Sequence, residues 1–579
     1  MVLRTLPAIA LVALFSSAQP AVVVAQQLPP GLSDPNLPPQ PEAPILEPQP
    51  LPSPEELLPL PPRSDLLGPE SGPESGPDIS DTVVVEQFRV LGSTVFSEAE
   101  LAQATAPYLN RAITFAELFE ARSAITQLYV NAGYITSGAF IPTDQTISDG
   151  VVDIRVVEGT LEAIAIEGLE NLNPNYVRSR VAVAAGRPLD VNRLIAGLQL
   201  LQLDPLIESL SADLAAGTQT GSSLLTLSVV EADSTRGTIT IDNGRSPTVG
   251  TFRRRAQLSE GNLFGLGDRF ELGYSQTDGS AAWDLSYTVP FNAYNGTIGL
   301  IYSISDSRVI DDDFEILDIE SDAEAVELTL RQPVFQTPQQ EVALAVTLSH
   351  DVSRSTFQLP GDERRGFPTP GADAGGEIQV TAIRFSQEWT TRQANQVIAL
   401  RSQFNLGTDW FEATINDNDQ PDSHFFSWQG QAQWVQLLAR DTLLLARVNT
   451  QLADRPLLSL EQFRLGGSGS VRGYRQDRTT ADSGLFASLE VRLPILRIPE
   501  WESLVQLTPF VDYGLAWNRG DRPSPDADEL MSVGLGLLWQ ASDRLTARLD
   551  WGIPLINDDT DGSSLQESGI LFTLSADLF

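Results

Sequence analysis

The sequence predicts a transmembrane antiparallel β-barrel of about sixteen strands, preceded by two small α+β modules that each run β-α-α-β-β. Three observations carry that expectation. Beyond Thr235 helical periodicity disappears, and runs of about ten residues alternate apolar and polar between clusters of Gly, Asn, Asp and Pro. Ahead of that point, one order of strands and helices occurs twice in succession. Nowhere past the N-terminus is there the stretch of roughly 18 apolar residues that a spanning helix requires, so a membrane crossing must be made by strands.

Residues 1–25 read as an export signal. Arg4 supplies the positive start, an apolar run follows from Ala8 to Phe15, and the small-residue site Val23-Val24-Ala25 precedes Gln26. Residues 26–80 are rich in proline with Ser, Gly and Glu between, a composition that cannot bury a core and predicts a disordered, extended tether. Pro52, Pro54, Pro59, Pro61 and Pro62 work against a helix around Pro54 to Leu60.

The first module is placed at 81–159. Val83 to Val90 alternates as a strand. Ser97 and Thr114 each begin a capping box, completed by Glu100 and Glu117, so a helix opens at each. The second helix is expected to carry Phe115, Leu118, Phe119, Ile125, Leu128 and Tyr129 on one face and to stop at Gly133. Strands Ile135 to Pro142 and Val151 to Val157 complete the unit. The second module, 160–233, repeats the order: a strand at Ala163 to Ile166, a helix with Pro174 at its first position, a helix capped by Asp190 and carrying Leu194, Leu198 and Leu201, then strands Leu206 to Leu214 and Ser223 to Val230. The modules end alike, at Val156-Val157-Glu158-Gly159 and Val229-Val230-Glu231-Ala232.

The barrel is placed at 236–579. Phe270, Leu272 and Tyr274 share one face against Arg269, Glu271 and Ser275; Trp283, Leu285, Tyr287 and Val289 form another apolar face; Leu545, Ala547, Leu549 and Trp551 oppose Thr546, Arg548 and Asp550. A water-filled lumen accepts the charges turned inward, which a soluble sandwich would have to bury.

Composition narrows the function. The chain of 579 residues carries a formal charge of −39, which opposes a nucleic-acid partner. With no cysteine, disulfides, zinc clusters and thiol nucleophiles are removed together. His350 and His424 read as structural or exposed. No nucleophile–base pair or metal cluster can be assembled, so neither an enzyme nor a cofactor is expected. The glycine-rich run Leu465 to Ser470 lacks a Gly-Lys-Ser/Thr ending and no helix pattern follows it, which argues against a nucleotide. Asn557, Asp559, Asp561 and Gly562 imitate the start of a calcium loop, but the closing glutamate is replaced by Ser568, so this reads as a solvated barrel loop with no metal.

The informative stretch is Val471-Arg472-Gly473-Tyr474, inside a loop at about 454–483. A guanidinium amid barrel strands needs a carboxylate or water. Phe510-Val511-Asp512-Tyr513-Gly514 offers a carboxylate on a strand whose alternation turns Asp512 away from lipid. Gly473, Gly534 and Gly536 are positioned to let loop and wall approach closely. Phe579 ends the chain; Ile570, Phe572, Leu574, Ala576 and Leu578 form the apolar phase, leaving Phe579 on the opposite one unless a bulge intervenes.

Together these features resemble the two-partner secretion transporters, the outer-membrane TpsB branch of the Omp85 superfamily. Signal, tether, two POTRA-like modules and barrel follow in that family's order, and the resemblance covers essentially everything after the tether. Val471 to Tyr474 match the family's loop motif, Phe510, Asp512 and Gly514 its strand motif, and Gly534 and Gly536 the pair of glycines that usually follows. The resemblance implies a loop folded into the lumen with Arg472 meeting Asp512, and Phe579 as the C-terminal signal read by the barrel assembly machinery. It implies an outer-membrane pore, with modules in the periplasm, that exports one large adhesin- or haemolysin-like partner exoprotein. The modules would bind that partner's N-terminal secretion domain, by strand addition or in a helix–strand groove. Two alternatives stand beside it: an Omp85-type assembly factor, which would usually carry more modules, and a passive porin or surface-binding barrel, which the modules and the anchored loop disfavour.

Overall fold

The computed structural model describes residues 46–48, 53–59, 82–143, 145, 150–417, 420–542, 544–556 and 564–579. The export signal, most of the tether and the calcium-loop-like run at 557–562 lie outside them. The chain divides into two compact units, one holding both modules and the other the barrel.

Sixteen antiparallel strands close the barrel. Closure is made by Thr235–Asp242, which pairs with Arg253–Gly261 on one side and with the last strand, Ile570–Asp577, on the other, in register Thr240 to Ser575. The two-residue piece Arg365–Gly366 pairs only with Thr356 and Phe357, while the wall continues directly from Gln340–Phe357 to Glu377–Gln393. The predicted alternation sets the two faces. In Ser503–Trp517, Thr508, Phe510, Asp512 and Gly514 are buried and every residue between them is part-exposed. Trp283, Ile304 and Leu328 stand 39–48 % exposed on the outward phase. Connections are short at the end where the chain enters, as at 337–339, 394–395 and 440–441, and long at the other, as at 309–319 and 358–376. That asymmetry marks the far end as the cell-surface side of an outer-membrane barrel.

Each module is a three-stranded mixed sheet under two helices. In the first, Val151–Val157 lies between the parallel Gln87–Leu91 and the antiparallel Gly138–Phe140. In the second, Ser222–Glu231 lies between the parallel Thr160–Glu167 and the antiparallel Ile207–Ala216. The repeat expected from sequence is thus a repeat of topology. Its shared glutamate has one job in both copies. Glu158 accepts from the Thr94 and Val95 backbone N–H groups and from the Tyr129 hydroxyl, and Glu231 from the N–H groups of Glu170, Asn171 and Leu172. Each tethers the loop that leaves the first strand of its sheet.

Four details differ from expectation. The strand expected over Val83 to Val90 is two, Thr82–Val84 and Gln87–Leu91, because Glu86 turns its N–H to the Gly150 carbonyl. Ala112–Thr114 is an extra strand, paired with Thr82–Val84, and the run from Ile135 contracts to Gly138–Phe140. The buried stripe of the helix Phe115–Asn131 runs through Leu118, Ala121, Ile125 and Tyr129, leaving Phe115 and Phe119 exposed on its flank. Within the tether, Pro54–Leu57 forms one helical turn despite its prolines. Pro54 takes the first position, where its missing N–H costs nothing, Ser53 caps the turn, and Leu57 and Leu58 join the second module's core.

Candidate functional site: a loop clamped to the inner wall

Register brings the wall side of the site together. Asp512 lies opposite Ser488 on one neighbouring strand and Ser532 on the other. Because side chains alternate, Phe486, Ser488, Glu490 and Arg492 of Ser483–Ile498 share Asp512's inward face. On the far side Gly534 and Gly536 of Glu529–Ala541 pair with Gly552 and Asp550 of Leu545–Pro554.

Between Ala453 and Ser483 the chain leaves the wall. Phe463–Leu465 and Thr479–Ala481 pair as a small ribbon, and the glycine-rich turn carries Arg472 at its far end. Gly466, Gly467 and Gly473 have φ of +103°, +92° and +97°, which glycine adopts at little cost. The loop buries its own apolar set: Leu465, Val471 and Tyr474 pack with Phe486, Ala516 and Leu530 of the wall.

Arg472 is 2 % exposed. Its Nε and Nη2 donate to the two Asp512 oxygens at 2.8 and 3.0 Å, and its backbone N–H donates to Asp512 at 3.2 Å. Nη1 donates to Glu490 at 2.6 Å, and the guanidinium carbon lies 3.5 Å from the centre of the Phe510 ring. The Ser488 hydroxyl donates to Asp512 at 2.6 Å, meeting the carboxylate's remaining acceptor capacity. Glu490 also receives Arg548 at 2.6 Å and Arg492 at 3.2 Å, and Arg548 returns to Asp550 at 2.6 Å. The result is a network in which three arginines meet Glu490, Asp512 and Asp550. A bidentate fork plus an aromatic face is a geometry that guanidinium meets and an ammonium does not.

The sequence-predicted residues take distinct positions. Val471 is fully buried. The Tyr474 hydroxyl lies 2.9 Å from the carbonyls of both Met531 and Ile556. Gly514 gives way to Leu465 and Val471, since a Cβ there would come within 2.9 Å of both. The loop's close approach is made by Gly473 against Gly552, with 2.9 Å between the Gly552 carbonyl carbon and a Cβ placed on Gly473. Gly534 and Gly536 act one step behind that contact: a side chain on Gly534 would collide with the Phe510 ring, and one on Gly536 with Asp550 and Thr508. Phe579 sits past the end of the last strand, so alternation does not set its phase; its ring lies over Gly237 on the lipid-facing side and is 61 % exposed.

Sequence reasoning missed Glu490, Arg492, Arg548, Asp550 and Gly552. Inward alternation in the three strands around Asp512 was the available signal, but only the register shows that they meet. It also missed two further anchors. Glu461, at the root of the loop, receives both terminal nitrogens of Arg384 at 3.0 and 2.7 Å. The fully buried Asp482, at its other root, accepts from the N–H groups of Leu457 and Arg519 and from Arg522. Finally Arg492 pairs at 2.9 Å with Glu47 of the tether, so at this point the tether is fastened to the inner wall.

Residues 83–159 match the ShlB-type POTRA domain, and residues 262–577, more than half of the chain, match the Omp85 superfamily domain. The chain belongs to the Omp85 superfamily. It is an outer-membrane protein with its POTRA modules in the periplasm. The outer membrane transporter CdiB of Escherichia coli O6:K15:H31 (strain 536 / UPEC) is 25 % identical over 489 residues, 82 % of this chain and 79 % of that one. The heme/hemopexin transporter protein HuxB of Haemophilus influenzae is 22 % identical over 76 % of this chain and 77 % of its own. Among solved structures, CdiB from Escherichia coli superposes with a TM-score of 0.68 at 22 % identity, over 88 % of this chain and 93 % of that one. BamA from Haemophilus ducreyi, lacking its POTRA domains 1–3, does so with a TM-score of 0.50 at 16 % identity, over 86 % and 100 %.

Proposed function

We propose that this protein is the outer-membrane pore of a two-partner secretion system and exports one large exoprotein from periplasm to cell surface. The observation that carries the reading is the clamped loop on the barrel's inner wall, in a chain whose first module is of the ShlB type and whose curated relatives CdiB and HuxB are named as transporters. The loop's Arg472 holds the resting state; for a polypeptide to pass, that clamp must open or the chain must run beside it. Outer-membrane lipid contacts the apolar outward band, and the exposed C-terminal Phe579 is the feature offered to the barrel assembly machinery. No step of this function calls for bond-making chemistry by the chain.

The receptor surface we favour is the groove between the helix Phe115–Asn131 and the edge strand Gly138–Phe140 of the first module. Phe119 is 48 % exposed and Phe140 44 %, and because the Thr126 hydroxyl already accepts the Ala139 N–H at the strand's edge, an apolar groove contact is favoured over strand addition. Phe119→Asp is expected to abolish binding of the partner's N-terminal domain to a purified fragment 53–233, which keeps Leu57 and Leu58 in the second core, without unfolding it. Normal secretion after deletion of the modules would remove the receptor role, and wild-type secretion by both Arg472→Ala and Asp512→Ala barrels would remove that of the clamp.

A further inference from the structure

On the outward face of the barrel, at its cell-surface end, lies a cleft of about 1030 Å³ that the secretion function does not use. Its floor is the outward phase of three adjacent strands, with Asp306, Arg308, Glu320, Asp322, Arg354 and Thr356 contributing. Arg364, Arg365 and Gly366 wall it from the loop above. Its height on the barrel follows from register. Asp306 pairs with Asp322, which pairs with Arg354. Two residues nearer the entry end, the corresponding row holds Trp283, Ile304 and Val352 with Glu324, and the rows below that hold Leu300, Leu328, Ile298 and Leu330. Those apolar side chains are about half exposed and face lipid. The cleft therefore begins about 7 Å above the apolar band, where headgroups of the outer leaflet lie.

Its charges are arranged for more than self-neutralisation. Arg308 and Arg364 converge on Asp318 at 2.5 and 2.6 Å, which fixes those two. Arg354 and Arg365, both exposed, have no carboxylate within ion-pair distance among the described residues. Asp306 and Asp322 face each other directly across neighbouring strands and share a side-chain hydrogen bond, and Arg354 stands opposite Asp322 on the next strand. Guanidinium forks held in no ion pair of their own, at Arg354 and Arg365, suit phosphate oxygens, and the adjacent carboxyls suit sugar hydroxyls. We propose that this cleft binds the phosphorylated saccharide headgroup of an outer-leaflet glycolipid, with Arg354 and Arg365 on phosphate, Asp306 and Asp322 on hydroxyl groups, and the acyl chains lying along the apolar rows beneath.

The test uses the full-length protein in detergent, with a diphosphorylated diglucosamine lipid as probe and native mass spectrometry as readout. Wild type is expected to retain the glycolipid, and Arg354→Ala/Arg365→Ala to lose affinity by about tenfold or more, as removal of charge-assisted hydrogen bonds implies. Arg440→Ala, an exposed arginine at the chain-entry end, is expected to bind as wild type does. Folding of each variant is checked by its heat-modifiable migration on a gel. Equal retention by wild type and the double variant would overturn the proposal. Equal retention of phosphatidylglycerol, which offers phosphate without sugar, would overturn the saccharide assignment. Displacement of the glycolipid by inorganic phosphate at the same concentration would assign the cleft to free phosphate and overturn a lipid site.

Discussion

Arg472 is held in three ways at once: a fork on Asp512, a third nitrogen on Glu490, and the Phe510 ring against its flat face. Truncating it strands two buried carboxylates, so Arg472→Ala is expected to lower barrel stability by about 3–5 kcal/mol, read from the temperature at which the folded band disappears on a gel. Asp512→Ala should cost a similar amount, and the double variant clearly less than the sum, because each single change already breaks the pair. Arg472→Lys keeps the charge but loses the fork, so it should recover only part of the loss. Gly473 makes a separate prediction. At φ +97° and tight against Gly552, it should not accept alanine without moving the loop, and Gly473→Ala should resemble Arg472→Ala in secretion although no charge is lost.

At the scale of elements, the last strand of each module ends in a glutamate that gathers the loop leaving the first. Burial alone would raise the Glu158 carboxyl, but hydrogen bonds from Thr94, Tyr129 and Val95 hold it below its ordinary value. A depressed carboxylate contributes stability that is present above its unfolded value of about 4.3 and is lost as pH falls through its folded value. The fragment 53–233, which holds both apolar cores with Leu57 and Leu58 included, should therefore unfold at lower denaturant concentration at about pH 3.5 than at neutral pH, and Glu158→Gln should flatten that difference. Much at this scale was legible. Capping boxes at Ser97 and Thr114 placed two helices, and the repeated Val-Val-Glu ending pointed to a shared topology whose purpose only the hydrogen bonds reveal. The split at Val85 and Glu86 was not legible, because it depends on the Gly150 carbonyl more than sixty residues away. Arg472 and Asp512 could be paired from the motifs and the alternation, but Glu490, Arg548 and Asp550 could not. They lie on separate strands, and it takes the barrel's register to bring 490 beside 548 and 550. The helical turn at Pro54 escaped for a different reason: it is stabilised by burying Leu57 and Leu58, which outweighs the local preference of its prolines.

At the scale of the whole molecule, the barrel carries one loop fastened at both roots and at its tip. The roots are tied by Arg384 to Glu461 and by Asp482, the tip by Arg472. Opening the tip alone would leave both roots in place, so Arg384→Ala combined with Arg472→Ala is expected to raise ion leakage through bilayer-inserted barrels well beyond either change alone. The cluster's charge, three arginines against Glu490, Asp512, Asp550 and Glu47 of the tether, has a further electrical meaning. Two of its arginines, Arg492 and Arg548, belong to the wall, but the third rides on the loop. Whenever the loop withdraws, Glu490, Asp512 and Asp550 are left with one positive charge too few. The vacated passage would then prefer cations, and a planar-bilayer reversal potential measured across a salt gradient should show Arg472→Ala barrels shifted towards potassium over chloride. A basic segment of a passing chain would meet, at that place, the countercharge that the departing arginine left behind.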